Sequence, residues 1–268
     1  AEEAVAIGFD EIQFDYIRFA TDSGMKNVDF GPEAEGKSRE AVITEFVEYA
    51  SERLHSQGIP VSADVYGIVI DSELDASLVG QNYYEMSKYL DYISPMVYPS
   101  HYGPGNLGLA IPDAQPYETI YRSMSASRRV LAGLEGPEED VEAVSGNDIP
   151  LKTEDVSGND VSQDAAVESV GIVSQETAAV SGNGAVSAGA RTELPDPKEM
   201  EPAEEIRAQV RPWLQDFTAT WVDGHITYGP EEIRAQIQAV YDAGYEEWIL
   251  WNAANRYTEG GLLPEEEN

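Results

Sequence analysis

Five short stretches of this chain end in residues that could do chemistry. Gly8–Phe19, GFDEIQFDYIRF, closes on Asp15 and Arg18, and Ile59–Gly67 closes on Asp64 and Tyr66. Tyr92–Tyr98 runs on into SPMVYPSHYG, bringing Tyr98, His101 and Tyr102. Val210–Phe217 carries Trp213, Gln215 and Asp216, and Glu247–Asn252 carries Trp251 and Asn252. One aspartate at the end of an apolar run is more often a helix cap or a loop hydrogen bond than a reactive group. Three of them among tyrosines and tryptophans suit carbohydrate chemistry, where two carboxyl groups flank a glycosidic bond and flat rings stack on sugar faces. Asp15 is the expected nucleophile or stabiliser of an oxocarbenium-like transition state. Asp64 is its expected partner acid, and Asp216 a competing acid or an anchor for sugar hydroxyls. Arg18 cannot act as a base, because guanidinium does not deprotonate, so it is expected to hold a carboxylate in place, Asp15 being the nearest in sequence. Tyr98, Trp213 and Trp251 are platform candidates, and Tyr66, His101, Tyr102, Gln215 and Asn252 complete the candidate substrate-binding set.

These residues need elements that bring them to one place. Between the apolar runs lie amphipathic stretches. Ser38–Gln57 repeats Val42, Phe46, Tyr49, Ala50 and Leu54 at helical spacing and is closed by Gly58. Pro230–Ala243 opens on Pro-Glu-Glu, repeats Ile233, Ile237, Val240 and Tyr241, and stops at Gly244. Tyr83–Leu90 and Tyr117–Arg129 show fainter helical patterns. Alternation of strand and helix at this spacing predicts βα units on a parallel sheet, either open and doubly wound or part of an eight-stranded barrel. Ligands of such sheets meet the carboxyl ends of the strands. All five strand ends here are polar or aromatic. No glycine-rich dinucleotide fingerprint or P-loop follows any strand.

The totals set the limits. The 268 residues include 42% hydrophobic residues, 15 Tyr and 4 Trp, enough for a substantial core. There is no cysteine, so disulfide and thiol chemistry are excluded. The formal charge of −34 argues against a nucleic-acid partner, since one polyanion repels another. No run reaches the ~20 apolar residues of a membrane helix. His55 and His225 do not complete a zinc set with His101, and no metal or other cofactor is expected, although Asp15, Asp64 and His101 together form an alternative metal reading.

Residues 133–205 differ from the rest. They hold 18 acids against 3 bases, and Ser145, Ser157, Ser169 and Ser181 mark a period of 12 residues through VSGND, VSGND and VSGNG. This segment is expected to be a solvated, disordered insertion, too poor in large apolar residues to order itself. It divides the chain into 1–132, 133–205 and 206–268.

Four separated motifs, GFDEIQFDYIRF, SPMVYPSHYGPG, RPWLQDF and ILWNAANRY, together resemble a bacterial glycoside hydrolase domain family long described as a domain of unknown function. The resemblance implies a TIM-type (β/α)8 barrel, a hydrolase of glycosidic bonds and a polysaccharide or oligosaccharide partner. With the charge, it also implies an extracellular or cell-envelope location. The first motif is similar to the fourth strand of chitinase-like barrels, with the pattern D-x-x-D-x-D-x-E. That pattern falls on Asp10, Gln13, Asp15 and Ile17, so only Asp15 carries over and the acid glutamate is missing. The five strands would then be the fourth to the eighth of a barrel, with the first three outside this chain, and the acidic repeat would lie at the end opposite the site. A non-catalytic carbohydrate-binding barrel and a metal-dependent hydrolase or deacetylase are the alternatives.

Overall fold

The computed structural model describes residues 1–134 and 195–262. Its strands are β1 (Ile12–Phe14), β2 (Val61–Tyr66), β3 (Tyr92–Met96), β4 (Gln209–Val210), β5 (Trp213–Gln215) and β6 (Ile249–Trp251). The helices are α1 (Glu2–Ala6), α2 (Arg39–His55), α3 (Glu73–Val79), α4 (Tyr83–Met86), α5 (Pro116–Leu131) and α6 (Pro230–Asp242). Every strand pairing is parallel, in the order β1-β2-β3-β5-β6, with β4 also on β3. Tyr92 pairs with Gln209 and Met96 with Trp213 at one constant offset, so β4 and β5 are a single strand position interrupted at Arg211–Pro212. Five strand positions therefore follow one another without reversal. A doubly wound sheet reverses its order at a switch point. A sequential order with right-handed crossovers keeps all its helices on one face. The fold is a partial TIM-type barrel.

Alternation within the strands separates two faces. Ile12 and Phe14 point to the helices, where Phe14 meets Phe46 of α2 edge-on at 5.4 Å. Val61, Ala63, Val65, Ile93 and Leu214 are fully buried in the same layer. Against them pack Met124 and Ile120 of α5 and Ile233 and Val240 of α6. Each such side chain contributes about 1.5–3 kcal/mol on burial. Glu11, Gln13, Asp15, Ser62, Asp64 and Tyr66 occupy the opposite, inner face.

Local chemistry explains the main helix ends. The Ser38 hydroxyl accepts from the Ala41 amide at 3.1 Å and caps α2, and Gly58, at φ +76°, turns the chain out of it. The Glu232 carboxylate accepts from the Gly229 amide at 2.9 Å and fixes the start of α6. At the amino ends of the strands, Asp91 accepts from His55 at 2.6 Å, the Val61 amide at 2.8 Å and Arg207 at 2.6 Å. That carboxylate ties α2, β2 and the approach to β4 together. Burial alone would raise its pKa, but these donors hold it below the ordinary carboxylate value.

Three sequence expectations change. The helix expected over Tyr83–Leu90 ends at Met86, and α3 forms where none was expected, capped by Ser72. Residues 195–205, the end of the expected insertion, are among those described. From Pro195 onward the chain packs back on the barrel, with Met200 buried and the Pro197 carbonyl accepting from Arg128 at 3.1 Å. The VSGND repeats lie outside the described residues.

Candidate active site

The inner face meets solvent at the carboxyl ends of the strands. Phe14 pairs with Ala63, so the next residues, Asp15 and Asp64, leave adjacent strands at the same level. They differ in setting. Asp15 is exposed, and its Oδ1 accepts from the amide of Tyr16 at 2.8 Å. Tyr16 has φ +56°, a left-handed conformation costly for a residue with a Cβ, and this bend lets the carboxylate bind its own backbone. Asp64 is only 7% exposed. Its Oδ1 accepts from Trp213 Nε1 at 2.7 Å and from Gln13 Nε2. Burial pushes its pKa up to about 6, opposed by the hydrogen bonds from Trp213 and Gln13 and assisted by the negative charge of Asp15. The contribution of Asp15 places the two acids in one electrostatic environment.

Aromatic rings surround the pair. Trp213, fixed by Asp64, meets Trp251 edge-on at 5.9 Å, and Trp251 is 38% exposed. Tyr98 lies 5.1 Å from the His101 ring and 6.1 Å from Phe217. Burial, then the charges of Asp64 and Asp15, raise the Tyr98 pKa well above the phenol value, so its hydroxyl stays a donor throughout the working pH range. His101 is pushed below the ordinary imidazole value by desolvation, and its Nδ1 lies 3.2 Å from the Ser100 hydroxyl. Tyr66 faces Arg18, whose guanidinium stands 5.2 Å from the Tyr66 ring and 5.7 Å from that of Tyr16. Among the described residues no ion pair joins Arg18 to Asp15. The arginine is held by rings, and by the Phe19 carbonyl at 3.3 Å.

Four expected site residues have other work. Asp216 is 2% exposed and accepts from the Thr258 amide at 2.8 Å and hydroxyl at 2.6 Å, locking the segment after β6. Asn252 caps that same segment, accepting from the Ala254 amide at 2.8 Å and donating to the Asp216 carbonyl. Gln215 is fully buried and bridges the Ser100 amide, Asp113 and the Phe217 carbonyl, each at 3.0 Å. Tyr102 is 5% exposed and turns into the helix layer, where Ser123 donates to its hydroxyl at 3.2 Å. A Cβ on Gly67 would come within 2.3 Å of that hydroxyl, which explains the glycine. Each of these side chains has its polar atoms engaged by the protein.

Two groups were missed as site residues. Gln13 donates to Asp64, and Glu11 pairs with Arg211 lower on the inner face. The alternation Glu11, Gln13, Asp15 opposite Ile12 and Phe14 was a period-two signal for both. Among the described residues no group of three or more His, Asp or Glu side chains is arranged to hold a metal ion, and Asp15, Asp64 and His101 do not form one.

A sequential parallel βα sheet with carboxyl groups and aromatic rings at the carboxyl ends of its strands has the site placement of a TIM-type barrel. The family model described as "Putative glycosyl hydrolase domain" matches residues 1–141 and 194–257, and the chain belongs to that family. The match is interrupted across the acidic repeats. Among curated proteins nothing matches. Among solved structures, the chain is similar to the PgaB (BpsB) glycoside hydrolase domain from Bordetella bronchiseptica, with 11% identity and a TM-score of 0.42, over 91% of this chain and 52% of that one. The chain thus spans about half the length of that solved domain.

Proposed function

We propose that the protein hydrolyses glycosidic bonds of a polysaccharide, with Asp64 as general acid and Asp15 as the ionised partner. The observation that carries this reading is the contrast between two adjacent carboxyl groups. Asp64 is buried, with a pKa of about 6, so it holds its proton up to about pH 6, well beyond an ordinary aspartate, and can deliver it to a leaving oxygen. Asp15 is exposed beside it and supplies the negative charge that attacks or stabilises the oxocarbenium-like centre. Trp213 and Trp251 offer faces and edges for sugar rings, while Tyr98, only 7% exposed, backs Phe217.

The charge narrows the substrate. A chain at −34 repels polyanions, so a neutral or amino-bearing glycan fits better than one built of uronic acids. Such polymers are met outside the cell or in its envelope, and this reading carries that location with it. The second reading, a carbohydrate-binding barrel without turnover, draws on Ile17 standing where chitinase-like strands carry their acid.

Reducing-end release from cello-, malto-, xylo- and chito-oligosaccharides tests the proposal, with wild type beside Asp15→Asn and Asp64→Asn and all three shown to unfold cooperatively. Release by wild type alone is the expected result. Binding without release by wild type would transfer the assignment to a binding barrel.

A further inference from the structure

We propose that Phe217 and Trp221 form a further sugar-binding subsite on the segment after β5, extending the proposed site outward from the Asp15–Asp64 pair. The inference rests on the glycosidase reading and names the shape of its substrate, an oligosaccharide several residues long lying across the carboxyl ends of the strands. Three rings make a continuous path. Tyr98, whose hydroxyl feels the charges of both acids, meets Phe217 at 6.1 Å and 64°. Phe217 stacks on Trp221 at 6.0 Å and 20°. Trp221 is nevertheless 65% exposed, so Phe217 backs one part of the indole and a large apolar surface faces water.

The segment that presents this ring is pinned. The Tyr228 amide donates to the Thr218 hydroxyl at 3.0 Å, and the Tyr228 hydroxyl donates to the Asp113 carbonyl at 3.0 Å. The Val222 amide donates to the Ala219 carbonyl at 3.0 Å, closing a turn around Trp221. Gly224 lies so close to Ile111 that a Cβ would approach within 2.6 Å. A rigid indole with an open face loses little conformational entropy on binding, which is what a stacking platform requires. The occupant is identified by the ring contacts that join Trp221 through Phe217 to Tyr98, the inner-face residue beyond Ser94, which pairs with Asp64. The apolar C–H faces of a pyranose match the flat ring, while its hydroxyls remain in water.

Calorimetric titration of the slowed Asp15→Asn protein with cello-, malto-, xylo- and chito-oligosaccharides of about two to eight residues tests this. In at least one series affinity should rise with length. Adding Trp221→Ala should lower affinity for the longest members by about tenfold and leave the disaccharide unchanged, and Trp221→Phe should recover most of the loss. Tyr49→Ala, which removes an exposed ring on α2, serves as the control and should change nothing. Length-dependent binding unaffected by Trp221→Ala would overturn the subsite and leave the glycosidase reading intact. An equal loss at every length would also overturn it, since the effect would not belong to an outer ring. Failure of all four series to bind would overturn the subsite together with the reading on which it rests.

Discussion

Above about pH 6 the ionised carboxylate of Asp64 opposes folding, and replacing it with asparagine should stabilise the protein. Its folded pKa of about 6 stands against an ordinary value of 3.8. Between those values the folded chain binds more protons than the unfolded chain, so this group's stabilising contribution is full below the unfolded value and is lost as pH rises through the folded one. A difference of about 2 units corresponds to ~3 kcal/mol, an upper bound that rearrangement and water entry will lower. Asparagine has the same shape, can accept from Trp213 and Gln13 through its own Oδ1, and carries no charge. Asp64→Asn should therefore match wild type near pH 4 and exceed it by ~1–3 kcal/mol near pH 8, equivalent to roughly 2–4 °C in Tm for each kcal/mol. Urea unfolding of both proteins in steps across that range measures the gap directly. The gap should open between about pH 4 and pH 7, while hydrolysis is lost at every pH. A gap that stays constant with pH, or a mutant less stable near pH 8, would refute the argument that Asp64 is held as an acid by burial. A gain in stability with loss of activity is what a buried reactive group produces.

Trp213→Phe should keep the ring against Trp251 and remove the N–H that favours ionised Asp64, moving the basic limb of the pH–rate profile to higher pH; an unmoved limb would detach Asp64 from the acid role. Asp216→Ala should destabilise the protein by ~2–4 kcal/mol in urea melts, because buried charge-assisted bonds to Thr258 disappear, while measurable hydrolysis survives in the folded fraction. Complete loss of activity in a stable Asp216→Ala protein would restore that residue to the chemistry. Asp91→Asn should destabilise near pH 7. Because the folded pKa of Asp91 is depressed, its stabilisation exists above the ordinary carboxylate value and is lost as pH falls through the folded one, so the difference from wild type should narrow steadily as pH falls below that ordinary value.

Much of the architecture could be read from short-range pattern. Ser38 and Gly58 bracket α2, Pro230 and Gly244 bracket α6, and the apolar alternation in β2 assigns Asp64 to the inner face. Asp15 was legible for the same reason, since a carboxylate one step beyond Phe14 has to leave the sheet at its open end. What escaped depended on distant partners. Tyr98 and Tyr102 belong to one motif, but the turn Pro99–His101 lies between them and sends Tyr102 into the helix layer. Gln215 and Asp216 sit at the end of a strand like Asp64 does, yet Asp113 and Thr258 claim them, and no local pattern announces a partner 102 or 42 residues away. The break at Pro212 divides an apparent seven-residue strand for a local reason, a residue without an amide to donate.

The same distinction separates two carboxylates of the inner face, half-buried Glu11 and buried Asp64. Glu11 and Asp64 are both partly withdrawn from water, which raises the pKa of any acid. Glu11 is matched by a guanidinium, Arg211, and by the Ser62 hydroxyl at 2.7 Å, so despite its burial the balance falls below the ordinary value. Asp64 receives only neutral N–H donors and has Asp15 as neighbour, so its balance goes the other way. One layer of the inner face is thus neutralised and structural, and the layer above it keeps a proton. Asp15 stands level with Asp64 on the neighbouring strand, exposed, with its Oδ1 accepting from the Tyr16 amide. From Glu11 up to Asp64, and from Asp64 across to Asp15, compensation falls from ion pair to neutral clamp to open carboxylate. Under the proposed function these last two carboxyl groups, Asp64 and Asp15, are the acid and its partner, adjacent where the inner face meets solvent and where a sugar chain would enter.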